Sequence, residues 1–318
     1  MNNSKSKHHY IPVFYLKGFT DMHGKLCVYS KAKEESYSEV LSGVSPDAIG
    51  YEKDGYTVRL QDGTKDSETI ENMFAEKESN AAPLLKKIIG GQKLTDSEFS
   101  TFVSDFLVIM ATRTPKAKNM LIPVANAIIS KTASKAKDKE AFREYINNRS
   151  KNGFNIRFSD EEIETERQKY IKIDHRYKVD KQESLIWLIL MQDNFNQDFQ
   201  SAHWKVIGPA EEYKFLTSDY PFIYICEKSN NKKTYIMPLS KDYCIMGSSE
   251  ADLTKINFTK RSNQVVKKFN SFIVKFADRH IYCHFKAQSI YDLVKKYKDF
   301  RPEINELKVE ELLKKNYG

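Results

Sequence analysis

Glycine is scarce in this chain, 12 of 318 residues, and no Gly-x-Gly-x-x-Gly, Walker-type Lys loop or Gly-x-Ser-x-Gly elbow occurs. A dinucleotide fold, a P-loop NTPase and an α/β-hydrolase therefore lack the loops their chemistry needs. Cysteine is equally sparse. Cys27, Cys226, Cys244 and Cys283 are widely separated with no Cys-x-x-Cys pair, which argues against a zinc ribbon or disulfide scaffold and for four reduced thiols. No long apolar run is present. The longest candidate, Leu185 to Met191, falls far short of the roughly 18 residues a membrane span needs. The opening Met1 to His9 has no apolar stretch of the kind a secretion signal carries, so a cytoplasmic protein without a membrane partner is expected.

What is present is a charged, aromatic-rich globular composition. Hydrophobic residues make up 40% and aromatics 12%, with 51 Lys+Arg against 43 Asp+Glu and a net charge of +8. The mean hydropathy is −0.60. That excess admits a polyanionic partner without requiring one, since both signs are abundant. Residues 1–65 alternate aromatic runs with turns and read as short strands, among them Lys25–Ser30 and Tyr56–Leu60. Residues 66–201 are helical in period. One helix runs over 66–89 to the Gly90-Gly91 stop, and a second is opened by a Thr95/Glu98 capping box and closed at Thr114-Pro115. Further helices are expected near 116–134, 139–148, 160–170 and 180–200, with the lysine-rich Lys131–Lys139 stretch as a solvated connector. Strands return over 202–318, at 203–207, 214–217, 222–226, 234–237 and 243–246, with an Asn230-Asn231 hairpin turn. A helix over 258–278, a strand, a short helix and a charged tail follow. The reading is an α+β fold, a helical middle region between strand-rich ends able to share one sheet, in one compact unit.

The densest chemical signal is His8-His9-Tyr10-Ile11-Pro12. Adjacent histidines before a proline suit metal-dependent nucleases of the His-Asn-His kind, where one imidazole ligates a divalent ion and its neighbour activates water. Such sites need an Asn and another His soon after; here His23 follows, but no Asn comes before Asn72. His280 and His284 have helical ligand spacing, yet their segment reads as a strand. Arg113 falls in the sector of its helix occupied by Phe99, Phe102, Phe106 and Met110, so its guanidinium needs a carboxylate or a phosphate. Glu78, at the edge of an apolar stripe, is the carboxylate a structural clamp would use. Ser218-Asp219-Tyr220-Pro221 follows a strand into a turn. There the polar side chains either satisfy turn amides or serve as ligand and base. The 258–278 helix gathers Lys260, Arg261, Lys267, Lys268 and Lys275 beside its apolar arc, a solvated face or a track for a phosphate backbone.

The segments His8 to Phe19, Glu76-Lys77-Glu78-Ser79, Arg113-Thr114-Pro115, Phe215 to Pro221 and Pro238-Leu239-Ser240 resemble, in order, the motifs of the bacterial domain-of-unknown-function family 4238. Val13 departs from the glutamine many members carry there. Members of that family resemble single-gene anti-phage defence proteins, so the resemblance implies a defence role with a phage component as trigger. Joined to the histidine motif, the expectation is a metal-dependent nuclease cleaving DNA or RNA. His8 and Asp219 would hold Mg or Mn; His8, His9, Glu78, Arg113, Ser218 and Asp219 would form the catalytic set. The alternative is a non-catalytic sensor or binding module, in which the same residues are architectural.

Overall fold

The computed structural model describes residues 7–31, 36–59, 63–149, 159–173, 178–227, 232–250 and 263–300. The first third holds β1 (Lys7–His9), α1 (Val13–Leu16), β2 (Leu26–Ser30), β3 (Leu41–Val44), β4 (Tyr51–Lys53), β5 (Val58–Arg59) and β6 (Lys65–Asp66). The helices α2 (Thr69–Ile89), α3 (Asp96–Phe102), α4 (Val108–Thr112), α5 (Pro115–Ala136), α6 (Lys139–Arg149), α7 (Asp160–Ile171) and α8 (Lys181–Gln200) follow. The last third holds β7 (His203–Ile207), β8 (Thr217–Ser218), β9 (Ile223–Cys226), β10 (Lys233–Pro238), β11 (Cys244–Ser248), α9 (Asn263–Phe276), β12 (His280–Cys283) and α10 (Gln288–Lys296). The α+β reading holds. Among the described residues no helix is long and apolar enough to cross a membrane.

The described residues fall into two compact units, where one is expected from the sequence: those of 7–117 with 191–300, and those of 118–190. The boundaries expected at 65 and 201 move because α2 to α4 carry apolar faces that pack with the strands. In the first unit, strands from both ends of the chain share a four-stranded sheet in the order β3-β2-β12-β8, and the C-terminal strands form a second, β7-β11-β10-β9. Side-chain alternation then sorts residues into two cores. Leu26, Val28, Tyr235, Met237, Ile245 and Tyr282 join α1 to α4 and Phe199 of α8 in one core. Cys27, Tyr29, Ile236, Cys244, Met246, Ile281 and Cys283 join α9 and α10 in the other. Both sheets thus pack α1 to α4 and the end of α8 on one side and α9 and α10 on the other.

The helix expected over 95–114 does begin with its capping box: the Thr95 hydroxyl accepts the Glu98 amide at 3.2 Å, and the Glu98 carboxylate accepts that of Thr95 at 3.0 Å. It is interrupted, however, by a π-helical turn at Val103–Leu107. A π turn takes in an extra residue and swings later side chains round the axis by about 100°. The helix tolerates this because every residue after the slip, from Phe106 to Met110, is apolar and buried, while Asp105 inside the turn stays half-buried with Lys77 and Asn80. Thr114 then caps the next helix, its hydroxyl accepting the Ala117 amide at 3.3 Å, with Pro115 at the first position where a missing N–H costs nothing.

Other sequence expectations shift for local reasons. The Lys131–Lys139 connector is helical through Ala136, and α6 starts at Lys139. The strand expected at 214–217 shortens to Thr217–Ser218. The side chain of Asn270 accounts for that: it accepts the Leu216 amide at 2.9 Å and donates to the Lys214 carbonyl at 2.9 Å, replacing ladder bonds. The Asn230-Asn231 turn and residues 258–262 of the basic helix lie outside the described residues, although β9 and β10 pair antiparallel as a hairpin requires. In the second unit, Ala125, Ile129 and Val179 form one apolar cluster and Ala136, Phe142 and Ile163 another.

Candidate functional site

The segments that carried the family resemblance meet one another in the first unit. The Tyr15 hydroxyl lies 2.7 Å from the Thr217 hydroxyl and donates to the Pro238 carbonyl at 2.9 Å. Gly18 packs against Leu239 and Ser240, where an added Cβ would stand 3.2–3.3 Å from their atoms, and its carbonyl accepts the Lys241 amide. The His-His-Tyr segment, the Thr-Ser-Asp segment and the Pro-Leu-Ser segment are therefore a single packed assembly.

Arg113 lies at the centre, fully buried. Its Nε donates to the Tyr10 carbonyl at 2.9 Å and its Nη1 to Glu78 Oε1 at 2.6 Å, and the guanidinium stands 5.7 Å from the Phe74 ring centroid. Glu71, Phe74 and Glu78 share a face of α2, because three and seven residues return to nearly the same side. Among the described residues, Nη2 of Arg113 and Oε2 of Glu71 are buried without a hydrogen-bond partner. Burial raises the Glu71 carboxyl above the usual carboxylate range, the Glu78 charge adds to that, and Arg113 opposes it. His8, equally buried, stacks on Tyr56 with ring centroids 5.2 Å apart and planes within 7°. Its Nδ1 accepts the Tyr56 amide at 2.8 Å. Tyr56 meets Phe74 edge-on at 4.8 Å, and its hydroxyl donates to the His9 carbonyl at 2.9 Å, so the histidine pair is tied to α2 through one tyrosine.

Tyr10 connects this cluster to Asp219. Burial, and after it the Asp219 carboxylate, pushes the Tyr10 phenol well above its ordinary range, and Tyr10 hydrogen-bonds with Tyr282. Asp219 is buried at the end of β8, where it accepts backbone amides from Asp278 at 2.9 Å, Arg279 at 2.7 Å and His280 at 3.0 Å. Three successive N–H groups make a nest for its charge. Burial still wins over those bonds, and with the Asp278 carboxylate nearby the Asp219 carboxyl rises to about 6. A folded-state value above the unfolded one near 3.9 means the native state holds the proton more tightly. Its stabilising contribution is complete below about pH 4 and is lost as pH rises through about 6. Wild type should therefore lose up to about 3 kcal/mol relative to Asp219→Asn between pH 4 and 7.5, read from urea midpoints. A pH-independent difference would refute this.

Of the six residues expected to act together, His8, Glu78, Arg113 and Asp219 belong to this connected network. His9 turns away: its Nε2 lies 3.3 Å from the Asp47 carbonyl and its ring meets Tyr51 edge-on. The Ser218 hydroxyl accepts the Tyr220 amide at 3.2 Å, satisfying its turn. His23 is exposed in a turn whose amides bond to the Asp21 carboxylate. The donor set does not fit a resident divalent ion on His8 and Asp219. Nδ1 of His8 is committed to an amide, and Asp219 already accepts three. Among the described residues no three His, Cys, Asp or Glu side chains draw together as metal ligands do.

The basic residues of α9 are partly committed as well. Lys267 stands 4.0 Å from the Tyr213 ring centroid, and Lys275 4.9 Å from that of Tyr297. Lys268 is exposed, and Lys260 and Arg261 lie outside the described residues. Sequence reasoning gave no role to Tyr10, Tyr56, Glu71, Arg279, His280 and Tyr282, although Tyr10 lies in the histidine motif, His280 has its spacing to His284, and Glu71 stands seven residues before Glu78 on the same helical face.

The family model described as a protein of unknown function, DUF4238, matches residues 7–287. Comparisons with curated proteins and with solved structures found no match. The matched span takes in every segment of the packed assembly around Arg113 and Tyr15, and the chain belongs to the DUF4238 family.

Proposed function

We propose that this protein is a cytoplasmic anti-phage defence enzyme that hydrolyses phosphodiester bonds of a nucleic acid. The observation that carries the reading is the convergence of His8, Glu78, Arg113 and Asp219 on one polar network that holds two displaced carboxyl groups, Glu71 near the buried Arg113 and Asp219 joined to it through Tyr10. Carboxyls moved toward neutrality and bound into a shared network are what acid–base sites require. The net charge of +8 would gather a polyanion. The defence setting rests on the resemblance of family members to single-gene anti-phage proteins, with a phage component as trigger.

A second reading, a non-catalytic module that recognises a nucleic acid or phage component, is favoured by one specific observation. Asp219 spends most of its hydrogen-bonding capacity on three backbone amides, and the Arg113 guanidinium is already paired with Glu78. Purified protein incubated with DNA and RNA, with Mg, with Mn and with a chelator, separates the two. Cleavage by wild type that falls at least about 100-fold in a folded Asp219→Asn variant supports the enzyme. Wild type that binds nucleic acid yet leaves every substrate intact under all three conditions supports the module.

A further inference from the structure

The buried members of the network cannot reach a polymer substrate. His8, Arg113, Ser218 and Asp219 expose no more than 2% of their surface, and Tyr10 4%. They can orient other groups, but whatever touches the substrate must stand at the network's solvent edge. Two neighbours in the chain do so. The side chain of His280 is 39% exposed and that of Arg279 is 48% exposed, and both donate backbone amides to Asp219.

Building on the hydrolytic reading, we propose that His280 is the group that meets the substrate phosphodiester, its backbone held by Asp219, its imidazole beside that carboxylate, and Arg279 next to it in the chain. His280 opens β12, and its backbone is pinned on both sides. Its N–H donates to Asp219 Oδ2 at 3.0 Å, and its carbonyl accepts the Asp219 N–H at 3.1 Å. Its Nδ1 lies 3.8 Å from the same Oδ2. That is longer than a hydrogen bond, a spacing that closes in enzymes when substrate binds. The ring lies nearly parallel to Tyr282, two residues on along the same face, with planes within 16° and centroids 6.3 Å apart. With Nδ1 toward a carboxylate, Nε2 is on the side away from it, the placement an imidazole needs to take a proton.

The step balances without a metal or co-reactant. Water gives a proton to Nε2 of His280 as its oxygen bonds to phosphorus. The P–O bond to the leaving oxygen breaks, and that oxygen takes a proton from the imidazolium. Arg279 is placed to hold the non-bridging oxygens; its Nε stands 3.5 Å from an Asp278 carboxylate oxygen, an exposed pair that an anion can displace. Among the described residues, the charged and titratable groups around the ring include Asp219, Asp278, Arg279, Tyr282 and, through Tyr282, Tyr10.

The test uses the full chain with bis(4-nitrophenyl) phosphate for turnover, and histidine-labelled protein titrated with dimethyl phosphate for contact. His280→Ala should lower kcat at least about 100-fold with KM changed less than about threefold, while circular dichroism shows the fold kept. Asp219→Asn should move the acid limb of the pH profile to lower pH, because the imidazolium loses its neighbouring anion. Dimethyl phosphate should shift the His280 ring resonances in wild type. A His280→Ala enzyme with wild-type kcat would overturn the inference and leave the hydrolytic reading standing. Wild type that neither turns over the probe nor shows a His280 shift would overturn both. A His280 shift without turnover would keep the contact and remove the hydrolysis.

Discussion

Glu78→Ala should destabilise the first unit by about 3 kcal/mol, seen as a lower urea midpoint with an unchanged slope. Arg113 is fully buried, and among the described residues its hydrogen bonds go to the Glu78 carboxylate at 2.6 Å and the Tyr10 carbonyl at 2.9 Å. Taking away the carboxylate leaves a guanidinium in low dielectric with one neutral acceptor. The uncompensated charge costs more than the lost bond itself. Glu78 has 29% of its side chain exposed, so water can partly replace it and the cost falls at the low end of the range for broken buried pairs. A second substitution, Arg113→Met, should restore at least half of the loss by removing the stranded charge while keeping most of the volume. Additive losses in the double variant would mean that the two side chains act separately. Arg113→Lys should not rescue, since an ammonium cannot reach Tyr10 and Glu78 with two fixed donors.

Gly247→Ala should cost about 2–3 kcal/mol and shift the tryptophan emission. Gly247 is paired in register with Trp204 on one side and Tyr235 on the other. The Trp204 ring lies over it, so that an added Cβ would stand 2.7 Å from two ring carbons, closer than any real Cβ contact. The indole cannot simply swing aside. Its Nε1–H donates to the Phe199 carbonyl at 2.8 Å, and its ring stacks with Tyr235 at 5.5 Å, which stacks in turn with Tyr224 at 5.7 Å. The row of rings bridges the glycine and covers the backbone it leaves bare. Thermal and urea unfolding together with tryptophan fluorescence decide the matter. An Ala variant within about 0.5 kcal/mol of wild type would mean that the indole has room to move.

Local signals were legible where chemistry is local. The Thr95/Glu98 box, the stop at Gly90-Gly91 and the break at Thr114-Pro115 each depend on a few neighbouring residues, and each lies where the sequence puts it. The clamp between Glu78 and Arg113 could be anticipated because burying a guanidinium demands an anion. The π turn could not be, since Phe106 to Met110 is an unbroken apolar run with no polar residue to show a slipped phase. The second unit was hidden for a related reason: α5 and α8 each run through a unit boundary without a proline–glycine linker to mark it. At the candidate site, Asp219 was visible as an acid at a strand end. Its dependence on the amides of residues 278–280 was not, because that nest is made of backbone and arises only when β8 and β12 pair.

The pairing of β2 with β12 sets a clock on biosynthesis. Cys27 faces Cys283 across that ladder, so the central strand of the shared sheet waits for a partner made about 250 residues later. At 5–20 residues per second, β2 spends roughly 10–50 s with one edge open while the ribosome finishes the chain. Over that interval Leu26, Cys27, Val28 and Tyr29 are an apolar strand seeking a neighbour, the kind of segment that pairs with another nascent chain if nothing shields it. Slower translation or a crowded polysome should thus lower the yield of soluble protein even where the finished fold is stable.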